Sequence, residues 1–145
     1  MSASNVLENA LLSLVLENAN TGLNIGDAVG LRGSTTAGAV YVSLATADPG
    51  EAGTQTTSES AYTNYARVSV ARSTAGWTVA AGVADNDAAI TFPQCGATGS
   101  TVTHFGIGSN ATTAGDLYFS GTSALTVSTN VTPSFAIGAL DITCD

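Results

Sequence analysis

The stretch that most constrains this chain is Ala39 to Gly50, where two-residue alternation runs into a strong breaker. Val40, Val42 and Leu44 fall on one face of an extended strand, and Tyr41, Ser43 and Ala45 on the other. Asp48-Pro49-Gly50 then stops the strand. Proline fixes φ, glycine is free to take positive φ, and the aspartate carboxylate can cap the turn. The pattern before this stretch is helix and loop; the pattern after it is a series of short strands and turns.

Strand-like runs follow at Tyr65–Arg72, Trp77–Ala81 and Ala88–Phe92, with Asp85-Asn86-Asp87 read as a turn and Pro93 closing the third. Further runs lie at Thr101–Ile107, Asp116–Ser120, Ala124–Ser128 and Pro133–Thr143. About eight strands at this spacing predict a mainly β fold, an antiparallel β-sandwich of jelly-roll type with one N-terminal α-helix. The polar segment Glu51–Thr63 reads as a surface excursion.

The helix is predicted from Asn5 to about Asn18, with Asn5 as a cap and Glu8 in the positive first turn. Leu7, Ala10, Leu11, Leu14 and Val15 form one apolar stripe, and Leu12 and Leu16 lie off it. A second apolar face predicts a covering partner, with Leu12 and Leu16 as interface residues and a homodimer favoured over a trimer. Asn20–Gly38, with Asn24 and several glycines, reads as a flexible or partner-draped arm. The expected organisation is residues 1–38 as helix and arm and 39–145 as β-sandwich, one domain overall.

Charge excludes whole classes of function. The formal net charge is −8, and the cations are Arg32, Arg67 and Arg72 with no lysine. Three arginines cannot neutralise a run of phosphates, so no nucleic-acid partner is expected. An anionic membrane surface is disfavoured in the same way, and no apolar run reaches the roughly 20 residues of a spanning helix. Glu8, Asn9, Glu17 and Asn18 interrupt the leucines, so no signal peptide is expected, and Cys95 and Cys144 are predicted to be thiols of a protein assembled in a cytoplasm. Only 10% of residues are charged, leaving a Ser/Thr/Asn surface suited to close packing against neighbours.

Nothing in the sequence assembles a catalytic set. His104 is the single histidine, and no Gly-x-Ser-x-Gly elbow accompanies it. Asp85-Asn86-Asp87 lacks the glycine and distant glutamate of a calcium loop, and Cys95 and Cys144 have no further zinc ligands nearby. No catalytic residue, metal site or cofactor is expected. Asp48 with Glu51, near Arg67, reads either as a carbohydrate or ion site or as a solvated turn. Arg67 and Arg72 are the candidate charged anchors, since each forked guanidinium must answer an acid in its own chain or a neighbour's.

Leu7 and Leu11 in the helix, Tyr41-Val42-Ser43-Leu44 with Thr46–Gly50, Tyr65-Ala66-Arg67, Trp77, Phe92-Pro93, Thr101–Ile107 and Phe135–Leu140 together carry a resemblance. Over residues 5 to 145 the chain resembles a family of small tailed-phage structural proteins, often labelled tail fibre proteins, some of them capsid cement or decoration proteins. The resemblance implies a virion protein without catalytic residues. Lacking a long repeat or coiled-coil shaft, the chain is expected to be capsid cement on the capsid surface, bridging subunits of the phage major capsid protein. The alternative is a tail fibre or tail-associated adhesion protein that binds a host surface glycan.

Overall fold

The computed structural model describes residues 3–23, 26, 30 and 32–144. Asn24 of the glycine-rich arm lies outside them. Among the described residues the chain is mainly β, with antiparallel sheets, nine strands and one short N-terminal helix. The strands are grouped in sheets of four, three and two. The chain divides into two compact units, each discontinuous in sequence.

The larger unit spans Val40–Val70 and Ile90–Ser134. Its sheet combines β1 (Ala39–Ala45), β2 (Val68–Ala71), β6 (Ser100–Gly108) and β7 (Leu117–Val127) in the order β2-β1-β6-β7. Strand β1 pairs antiparallel with β6 from Tyr41↔Gly108 to Ala45↔His104. Val42 to Ala45 are all buried, Ser43 included, so this central strand is covered on both faces. Ser43 Oγ meets its hydrogen-bonding need by donating to the Gly106 carbonyl at 3.3 Å. A Cβ at Gly106 would stand 2.8 Å from both Leu117 Cδ1 and Ser43 Oγ, so any larger residue there must push those side-chain ends aside.

Strand β7 is one continuous 11-residue strand, where alternation predicts two separated by Gly121-Thr122-Ser123. Those residues look like a turn, but Gly121 sits opposite Phe105, whose ring fills the space above it. A covered glycine loses the freedom that makes it a breaker. The register on β6 shifts twice, so β7 carries extra residues. β5 (Ile90–Thr91) and β8 (Ser134–Phe135) make a short two-stranded ribbon. An aromatic cluster completes this core: Tyr62 meets Tyr65 edge-on at 5.3 Å, and Tyr65 stacks on Phe92 at 6.4 Å.

The other unit takes in Met1–Ala39, Ala71–Ala89 and Phe135–Asp145. It holds α1 (Asn5–Leu12), a π-helical turn at Ser13–Glu17, and a three-stranded sheet ordered β3 (Trp77–Ala80), β4 (Val83–Asn86), β9 (Ile142–Thr143). Ser4, not Asn5, occupies the N-cap position, and it makes no side-chain capping bond. β3 and β4 form a hairpin through Ala81 and Gly82, both at positive φ (52° and 83°), the backbone that a tight two-residue turn demands.

This hairpin corrects the reading of Asp85-Asn86-Asp87 as a turn, since Asp85 and Asn86 belong to β4. Asn86 is buried with its amide fully used. It donates to the carbonyls of Ala88 and Ala136 and accepts from the amides of Ala139 and Leu140. Those bonds pin the turn at 136–139 that divides the predicted final strand into β8 and β9.

Candidate interaction surface

Arg67 precedes β2, and its side chain is only 2% exposed. Its Nε donates to Glu59 Oε1 at 2.7 Å and its NH2 group to Oε2 at 2.8 Å, a bidentate pair. The NH1 group donates to the carbonyls of Asn110 and Thr113. Tyr65 adds its hydroxyl as a donor to Glu59 Oε1 and as an acceptor from the Leu44 amide. Burial pushes the Tyr65 phenol well up, and the Glu59 carboxylate reinforces this. The hydrogen bond to Glu59 likewise holds the Arg67 guanidinium above its ordinary value. Arg67 answers an acid of its own chain, so its expected role as an anchor for a neighbour is corrected.

Arg72 is spent differently. It donates to the carbonyls of Leu14, Val15 and Ala37 at 2.9, 2.6 and 3.0 Å. Two of these are carbonyls at the end of the helical segment, which lack intrahelical partners. The guanidinium is therefore a helix cap and a tie for the arm rather than an interface anchor. Asn18 and Asn20 tie the arm further, accepting from the amides of Ser34 and Gly33.

Leu12 and Leu16 require the same correction, because both are 0% exposed. They face the fold, while Leu7 of the predicted inner stripe is 38% exposed and Val6 is 66% exposed. The π-helical turn contributes at Leu16: the Asn18 amide reaches back to the Ser13 carbonyl, and the wider turn moves the side chains within it off a 3.6-residue phase. The Glu51–Thr63 excursion is also held in place. Gln55 is buried, donates to the Tyr41 carbonyl and accepts from the Asn110 amide.

A cleft of about 340 Å³ remains open in the larger unit, between the turn after β1 and the start of β7. Asp48, Glu51, Tyr118 and Ser120 line it together with Gly50 and Phe119. Asp48 Oδ1 accepts from the Gly50 amide at 2.9 Å, which fixes the turn, and Gly50 has φ of 67°. Tyr118 is 46% exposed. It falls between Leu117 and Phe119, whose partners Gly108 and Ile107 are adjacent, so it is the extra residue of a β-bulge. The sequence marks Asp48 and Glu51 through the breaker. Tyr118 and Ser120 are missed, because alternation alone treats them as ordinary strand residues and carries no sign of the bulge.

The remaining chemical candidates stay apart. His104 Nδ1 lies 2.9 Å from Thr103 Oγ1, and the strand places Ala45 and Thr122 beside it. Cys95 is buried and Cys144 half-buried, and both are free thiols. Burial raises the Asp85 carboxyl above its ordinary value, helped by a hydrogen bond with Asp141 and by the Asp141 and Asp87 charges. Among the described residues no group of three or more His, Cys, Asp and Glu side chains is placed to hold a metal ion. No helix among them is long and apolar enough to cross a membrane.

Residues 2–143 match a family model described as Podophage GP4 fiber I protein gp80. No curated protein matches the chain.

Proposed function

We infer that this chain, which belongs to the Podophage GP4 fiber I protein gp80 family, is a non-enzymatic structural subunit of the fibre apparatus of its virion. Membership makes it a bacteriophage virion structural protein. The observation that carries the fibre reading is the family match itself, which runs from residue 2 to residue 143. In this reading the protein works by packing and presentation, and its partners are other virion subunits and copies of itself. Val6 and Ile137, 66% and 69% exposed, offer apolar contact points in place of Leu12 and Leu16.

A second reading is capsid cement, a clip binding major capsid protein across subunit joints on the capsid surface. It draws on the low charge: the outer face of β7 presents Ser120, Thr122, Ala124 and Thr126, all exposed and uncharged. Such a face can be buried without stranding an ion. The charged anchors and leucine face that favoured this reading are consumed inside the fold, so the fibre reading stands ahead of it.

Virus particles lacking the protein separate the two. The fibre reading expects adsorption to host cells to fall while filled heads keep their resistance to heat and low salt. Normal adsorption with fragile heads would overturn it in favour of cement.

A further inference from the structure

We propose that the cleft between the Asp48–Glu51 turn and the start of β7 binds carbohydrate of the neutral or cationic class. The proposal deepens the fibre reading by giving it a ligand and a site. Sugar recognition asks for two things at once: an aromatic face for the C–H side of a pyranose ring, and fixed polar atoms for its hydroxyls. Tyr118 supplies the first. It is the extra residue of the bulge in β7, exposed on the same alternation as Ser120, and both line the cleft.

The carboxylates of Asp48 and Glu51 supply the second, as charge-assisted acceptors for hydroxyl or ammonium donors, and Ser120 adds a hydroxyl that both donates and accepts. Asp48 is already held by the Gly50 amide through Oδ1, and Oδ2 is left to accept from a ligand. The acceptor geometry is thus set before binding, which lowers the ordering cost. Charge selects the ligand. Two carboxylates in one cleft, on a chain of formal net charge −8, repel uronic acids, sialic acids and phosphorylated sugars. Neutral hexoses and amino sugars meet no such barrier. A divalent cation is the weaker occupant, since only two carboxylates line the cleft and no third metal ligand joins them among the described residues.

The full chain is titrated by calorimetry and by amide chemical-shift mapping with maltohexaose, chitohexaose, a glucosamine hexamer, a hyaluronan hexamer, and calcium chloride alone. The expected result is binding of at least one neutral or cationic oligosaccharide, with shifts centred on residues 48–51 and 117–120, and no binding of hyaluronan. Tyr118→Ala should weaken that binding by about tenfold or more, and Asp48→Asn with Glu51→Gln by a similar factor, while Tyr118→Phe keeps most of it. Melting temperatures of the variants confirm that the fold is retained. The proposal is overturned if no neutral or cationic oligosaccharide binds, if shifts map elsewhere, if Tyr118→Ala binds as tightly as the parent, or if calcium alone occupies the cleft. Sugar binding by a protein found on the head would leave this site standing and remove the fibre reading; a fibre protein with an inert cleft would do the reverse.

Discussion

Replacing Arg67 with methionine tests the internal knot most sharply. The substitution keeps much of the aliphatic stem but strands a Glu59 carboxylate whose side chain is 17% exposed, together with the carbonyls of Asn110 and Thr113. Removing one partner of a buried ion pair costs about 3–5 kcal/mol, because the surviving charge keeps its desolvation penalty. Against a typical total of about 5–15 kcal/mol, that is a large fraction of the stability of a domain. At roughly 2–4 °C per kcal/mol for a chain of this size, Arg67→Met should melt roughly 6–20 °C lower. Arg67→Lys should fall between variant and parent, since one ammonium cannot reproduce the fork that spans both Glu59 oxygens. Urea unfolding followed by circular dichroism gives the free energies. The double variant Glu59→Gln/Arg67→Met should recover at least about 1 kcal/mol relative to the sum of the single changes. A loss below about 1 kcal/mol for Arg67→Met would place the pair among exposed ion pairs and refute the reasoning.

Leu16→Ala should destabilise the chain by about 2–5 kcal/mol in the same assay, and Leu16→Asp should abolish folding rather than assembly. Gly106→Ala should cost about 1–3 kcal/mol through overpacking against Leu117 and Ser43, a loss that Ser43→Gly in the same chain should partly relieve. Asp85 gives a pH signature. Its folded value lies above the ordinary 3.8, so its contribution is complete below that pH and is lost as pH rises through the raised value. Asp85→Asn should therefore melt with the parent at pH 3 and above it at pH 7, and a gap of equal size at both would contradict the assignment. In a spectrophotometric titration Tyr62, pushed up to about 12 by burial, should ionise well above the ordinary tyrosine value of 10.0.

The parts of the fold legible in the sequence are those where one local rule decides. Val40, Val42 and Leu44 followed by Asp48-Pro49-Gly50 give a strand and its end, and the Thr101–Ile107 run gives most of β6. Legibility fails where packing overrides local preference. Gly121 reads as a breaker until the Phe105 ring covers it, and Asp85-Asn86 reads as a turn until Asn86 is seen to saturate four backbone groups. The helix fails for another reason. With leucines on both faces, spacing cannot say which face meets the rest of the chain, and Leu12 and Leu16 lie on the buried one. Of the cleft, Asp48 and Glu51 are visible through the turn chemistry; Tyr118 is not, because a bulge is a property of two strands in register and neither shows it alone.

Under the proposed function this chain is a subunit of the fibre apparatus, and its position in the particle tests that role most directly. Image reconstruction of intact virions, with antibody labelling of this protein, should place its mainly β fold and the label on the fibres attached to the tail. Label and matching density distributed over the joints of the head lattice, with none on the fibres, would contradict it.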